Sequence, residues 1–141
     1  MTGLPLPRFV SIKSNPANVR TGPGTEYPVK WTFVRRGLPV EVTAEFVNWR
    51  RIRDGEGDEG WVLGALLSGK RTALVAPWSD AKPARLFSER DNGAQTVAIV
   101  QPNVLTRLVG CDGEWCEVRI GNRQGHIRQI RLWGVYPGET L

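Results

Sequence analysis

VNWRRIRDGEGDEGWVLGALLSG, residues 47–69, has a second copy of its outline in GEWCEVRIGNRQGHIRQIRLWG, residues 113–134. Trp49 matches Trp115 and Ile52 matches Val118. The loop that follows is one residue shorter in the second copy, and beyond it Gly60 matches Gly125, Val62 matches Ile127, Leu67 matches Leu132 and Gly69 matches Gly134. A repeated aromatic, a polar Gly-rich turn and a Gly-x-aliphatic step predict two strands joined by a hairpin, then a short turn of helix. Each copy is the closing half of a small β unit.

Upstream of each copy the pattern continues. Residues 9–13 alternate as a strand, and Ser14, Asn15 and Pro16 break it. A long turn-rich loop follows, in which Gly22 and Gly24 supply freedom of φ and Pro23 and Pro28 stiffen the path. Residues 29–33 read as the next strand, and residues 38–44 alternate with Leu38, Val40, Val42 and Ala44 inward. Thr72–Val75 then opens a second round, with a turn over residues 76–83, a shortened segment at 84–87 and strands at 95–100 and 104–108. The second round keeps the apolar alternation. It lacks a Tyr at the position of Tyr27, and His126 stands where the first copy has Trp61.

The stretches ANVRTGPG at residues 17–24, the Arg36-Gly37 step before an alternating strand, and Gly60-Trp61-Val62 together resemble the bacterial SH3-like domain, here duplicated in tandem. LWGVYPG at residues 132–138 further resembles the end of a group of exported two-repeat SH3-like proteins of Gram-negative bacteria. The resemblance implies an all-β chain of two tandem SH3-like small barrels, one over residues 8–70 and a divergent one over 71–137. It also implies a non-enzymatic binding module of the cell envelope, periplasmic or exported. MTGLPLPRF at the start lacks a basic region followed by an apolar one, so the expectation is that a signal peptide has been removed ahead of it.

Size and charge narrow the choices. The 141 residues, divided by a repeat of about 66, give two units of minimal size, each with a thin core. The two are therefore expected to pack against each other rather than to hang on a tether. No run of even ten uninterrupted apolar residues exists, which excludes a membrane-spanning helix in this sequence. Net charge is +5, with 15 of the 19 basic residues being Arg, and it is spread evenly over both halves. Such a field gives solubility and steering before it gives specificity. The densest group is Arg35, Arg36, Arg50, Arg51 and Arg53, and the alternation of a strand puts Arg51 and Arg53 on the face opposite Ile52.

Four aromatics of the first unit, Tyr27, Trp31, Trp49 and Trp61, are candidates for one ligand-binding groove, with Arg51 and Arg53 beside it to engage carboxylates. The expected partner is a peptide, a peptidoglycan-derived fragment or another envelope protein. The alternative for the tryptophans is packing at the barrel edge and between units. The same Arg and Trp residues could hold single-stranded nucleic acid or another anionic polymer, a less favoured reading because no basic tail or arm exists. Cys111 and Cys116 bracket a four-residue turn, a spacing that suits a hairpin-closing disulfide and an oxidising compartment; two small core thiols are the alternative.

The inventory for other chemistry is poor. His126 is the one histidine and the cysteines are two, too few for a zinc site. Asp54, Glu56 and Asp58 alternate like calcium ligands, but Glu59 stands where that loop needs its turn Gly and no Glu follows at the twelfth position. Cys116 with His126 could pair as nucleophile and base, yet no third orienting group is in view. The expectation is a binding protein with no active site, no metal and no cofactor.

Overall fold

The computed structural model describes residues 2–78, 80 and 82–141. The turn expected over residues 76–83 includes Ser79 and Ala81, which lie outside the described residues. Two compact units divide the chain between Arg71 and Thr72. The first consists of β1 (Arg8–Ile12), β2 (Ala17–Arg20), β3 (Val29–Phe33), β4 (Pro39–Phe46), β5 (Trp49–Arg53), β6 (Glu59–Leu63), a turn of 3-10 helix at Gly64–Leu66 and β7 (Leu67–Ser68). The second repeats the order with β8 (Thr72–Val75), β9 (Ala84–Phe87), β10 (Thr96–Val100), β11 (Leu105–Cys111), β12 (Trp115–Ile120), β13 (Arg123–Arg128), a 3-10 turn at Gln129–Arg131 and β14 (Leu132–Trp133).

Each unit is one antiparallel sheet of seven strands curled around its own core. The strand orders are β3-β2-β6-β5-β4-β1-β7 and β10-β9-β13-β12-β11-β8-β14, the same path walked twice. All-β architecture and duplication follow the sequence expectation. Only three residues, Gly69, Lys70 and Arg71, separate β7 from β8.

Period-2 alternation builds both cores. In the first unit Ile12, Ala17, Val19, Val40, Val42, Ile52 and Val62 form the buried cluster. Burying a Val or Ile side chain stabilises by about 1.5–3 kcal/mol, so six such residues with Ala17 make a small core. Leu38 packs against that cluster from a half-buried position. Ala44 sits on the far side of a register shift between Val42 and Ala44, which ends the simple alternation expected for β4. In the second unit the cluster includes Ala73, Val75, Leu86, Val118, Ile127 and Leu132.

The matched glycines show why the repeat outline persists. A Cβ on Gly60 would lie 2.5 Å from Val19 Cγ1 and 3.0 Å from the Arg20 carbonyl; one on Gly125 would lie 2.6 Å from Leu86 Cγ and 2.9 Å from the Phe87 carbonyl. Both mark the place where the hairpin strand crosses close over its neighbour, β6 over β2 and β13 over β9. Cys111 and Cys116 face each other in the β11–β12 register and are disulfide-bonded inside the second core.

Candidate functional site

The outer face of β5 and β6 gathers most of the predicted residues. Ile52 is fully buried, so Trp49, Arg51 and Arg53 point the other way, and on β6 the burial of Gly60 and Val62 turns Glu59, Trp61 and Leu63 outward. Cross-strand register then pairs Trp49 with Leu63, Arg51 with Trp61 and Arg53 with Glu59. On the far side of Trp61 stands Arg20, its partner on β2. Trp61 therefore lies in a row between two arginines, and it is half-buried, with part of its ring open to ligand.

Tyr27 closes one end of this row. The residue is 40% exposed, on a loop. The ring is seated on Gly22, where a Cβ would come within 2.5 Å of Tyr27 Cδ1, so Gly22 is needed for the aromatic to lie down. Arg20 donates from Nη1 to the carbonyls of Tyr27 at 2.9 Å and Thr25 at 3.1 Å. Arg20 thus stands in register beside Trp61, and its guanidinium holds the loop that presents Tyr27.

Trp31 is turned elsewhere. It is the register partner of the buried Val19, packs against the core, meets Phe33 edge-on at 5.7 Å, and its indole Nε1 is buried without a hydrogen-bond partner. Of the four aromatics read as one groove, Trp49 and Trp61 share the outer face, Tyr27 borders it, and Trp31 belongs to the inner one. The reason is register: β3 sets Trp31 opposite the buried Val19 and Phe33 opposite the buried Ala17, a pairing that alternation within β3 alone cannot locate.

The arginines are already engaged. Arg51 Nη2 donates to Glu59 at 2.6 Å, both groups well exposed. Arg53 donates to the buried Glu41, its partner across β4. Arg8 and Arg50 converge on Glu45, which also accepts from the Thr2 backbone N–H and hydroxyl. Those hydrogen bonds, led by the Thr2 hydroxyl, draw the Glu45 carboxyl from 4.5 down to about 2. A stripe of free positive charge is therefore absent here, since each arginine of β5 meets a carboxylate.

Phe46 is a further apolar residue of this face, outside the aromatics proposed from sequence. It is the cross-strand partner of Trp49 and is 51% exposed at the tip of the β4–β5 hairpin, beside the exposed Val47. Phe46, Trp49 and Leu63 together extend the aromatic face toward that tip. A Phe directly before a two-residue turn was the available signal.

The equivalent face of the second unit is closed by its own side chains. Phe87, His126 and Glu117 stand in register where the first unit has Arg20, Trp61 and Arg51. Trp115, the match of Trp49, is 5% exposed, stacks edge-on with Phe87 at 5.4 Å and carries the Arg128 guanidinium 4.5 Å above its ring. Arg90 reaches over from its loop, Nε to His126 Nδ1 at 3.2 Å and Nη1 to Asp112 Oδ2 at 2.9 Å. Asp112 also accepts from the backbone N–H groups of Trp115 and Glu114, which with Arg90 lower its pKa from 3.8 to about 2. With Cys116 in the disulfide, its sulfur is not a thiolate facing His126.

At Asp54 the acidic loop is a turn held by its own carboxylate. Asp54 Oδ1 accepts from the backbone N–H groups of Glu56 and Asp58. No helix among the described residues is long and apolar enough to cross a membrane.

Comparison with known proteins agrees with this geometry at the level of family. Among curated proteins no sequence matches the chain. Solved structures similar to it include NlpC2 and NlpC1 from Trichomonas vaginalis, at 13% and 14% identity and a TM-score of 0.40 each, covering 93% and 94% of this chain and 49% and 47% of theirs. An NlpC/P60 family protein from Bacillus cereus is similar at 13% identity and a TM-score of 0.39, covering 89% of this chain and 55% of the other. The chain spans about half the length of these proteins. The family model for the bacterial SH3 domain matches residues 13–69 and again residues 80–134, so this chain, two matching folds in tandem, belongs to the bacterial SH3 domain family.

Proposed function

We propose that the chain is a non-enzymatic binding module of the cell envelope, and that its first unit recognises peptide or peptidoglycan-derived ligands on the outer face of β5 and β6. The observation that carries this reading is the contrast between the units: Trp49 and Trp61 are both half-open on that face, whereas in the second unit Trp115, the match of Trp49, is buried under Phe87 and Arg128, and the match of Trp61 is His126, hydrogen-bonded by Arg90. Rigid aromatic surface binds sugars and peptides at low entropic cost. Arg51 supplies the polar contact by exchanging the exposed Glu59 for a ligand carboxylate, a charge-assisted hydrogen bond. Arg53, held by the buried Glu41, and Arg20 frame the site, while Tyr27 is the exposed anchor at its edge. An exported setting, periplasmic in a Gram-negative cell, fits both the family and the disulfide.

The pairing of Arg51, Arg53, Arg50 and Arg8 with carboxylates weighs against the alternative of nucleic-acid binding, which needs uncompensated charge along a strand path. Co-sedimentation with purified peptidoglycan sacculi separates the two. Binding that survives a rise in salt from about 0.05 to 0.5 M, and that Trp61→Ala reduces, is the expected result. Indifference to sacculi, with tight single-stranded DNA binding that falls steeply with salt, would transfer the function to the alternative.

A further inference from the structure

The two units differ on their inner faces as well. Strand β3 pairs with β2 in the register Ala17–Phe33, Asn18–Thr32 and Val19–Trp31, and β10 pairs with β9 as Ala84–Val100, Arg85–Ile99 and Leu86–Ala98. A register shift follows at the same step in both, so the positions correspond one to one: Ala98 stands for Trp31 and Val100 for Phe33. In the first unit those two rings meet edge-on and cap the core. The second unit has lost both rings, and a cleft of about 450 Å³ lies along that strand, lined by Leu86, Ala98, Val100, Val104 and Ile120 with the exposed Arg123 on its rim. The volume is that of a small-ligand site, with mostly apolar walls and one cation.

We propose that this cleft binds the carboxyl-terminal aromatic residue of a peptide. The ring takes the place that Trp31 and Phe33 occupy in the first unit, and the chain's carboxylate meets Arg123. Arg123 is suited to the exchange: its guanidinium reaches the Val97 carbonyl at 3.5 Å, at the outer limit of a hydrogen bond, and a carboxylate would offer a stronger, charge-assisted partner. Strand β10 is also the end strand of its sheet, so an extended peptide can lie alongside it. This site is separate from the β5–β6 face of the first unit, and either can fail without the other.

The test uses the whole chain, labelled with 15N, and two probes: N-acetyltryptophan, with ring and carboxylate, and N-acetyltryptophanamide, with the ring alone. The expected result is saturable shifts at Ala98, Val100 and Arg123, with the amide binding about tenfold more weakly. N-acetylalanine should leave these signals in place. Ala98→Trp restores the ring that the first unit has, so it should abolish probe binding while the thermal midpoint holds or rises; Ala98→Leu narrows the cleft if the larger residue does not fold. Arg123→Gln should erase the preference for acid over amide. No saturable shift, shifts confined to the Trp49 and Trp61 signals, equal binding of acid and amide, or unimpaired binding by a folded Ala98→Trp or Ala98→Leu variant would each overturn the proposal.

Discussion

On the proposed reading, Trp31 serves stability and Trp61 serves binding within one small unit. Trp31 covers the core opposite Val19, so Trp31→Ala removes apolar contact from the barrel and should cost on the order of 2–3 kcal/mol, read from chemical denaturation. Trp61 lies on the outer face between Arg20 and Arg51, so Trp61→Ala should leave the denaturation midpoint close to the parent while weakening a bound ligand by about 1–2 kcal/mol. A fall in stability for Trp61→Ala matching that of Trp31→Ala would assign both to the core. Arg51, Arg53, Trp49 and Trp61 could be put on one face from sequence, because Ile52 and Val62 fix the alternation of their own strands. Trp31 could not, since its side depends on its register with a strand more than ten residues earlier. The carboxylate partners of Arg51 and Arg53 escaped for the same reason: Glu59 and Glu41 lie eight and twelve residues away, joined only by cross-strand register.

Among elements, the hairpins were the most legible, as a period of two between Gly-rich turns is a local signal. The Cys111–Cys116 hairpin is the clearest, with a spacing that already brings the two residues opposite each other. Less legible was the way residues 2–8 are tied to β4. Glu45 gathers the Thr2 backbone N–H, the Thr2 hydroxyl, Arg8 and Arg50, none of which neighbours it in sequence. The folded carboxyl titrates near 2, below its ordinary 4.5, so its contribution to stability is complete above about pH 4.5 and fades as pH falls through about 2. Denaturant midpoints measured from pH 6 to pH 2 should decline across that acid window. Glu45→Gln should lower the neutral-pH midpoint and flatten the decline; an unaltered acid slope would remove Glu45 from the cause.

At the scale of the whole molecule, the two units share the strand crossings and the centre of the core and differ on both faces. Gly60 and Gly125 both stand where strands cross, and Ile52 and Val118 both stand in the cores, while His126 stands where the first unit has Trp61 and Ala98 where it has Trp31. Each unit has about 70 residues and stands near the lower limit of self-sufficient size. A core that small should leave each fragment, 2–71 or 72–141, only marginally stable, with an unfolding midpoint at low denaturant; a fragment that unfolds cooperatively only at high denaturant would count against it. The two faces give the functional claim its sharpest check. Map the binding of purified muropeptides on the intact chain by NMR, following the six indole N–H signals together with the backbone amides. The expected shifts fall on Tyr27, Trp49, Arg51 and Trp61, with Trp115 and His126 unmoved. Shifts centred on Phe87, Trp115 and His126, with the β5–β6 face silent, would contradict the assignment of binding to the first unit.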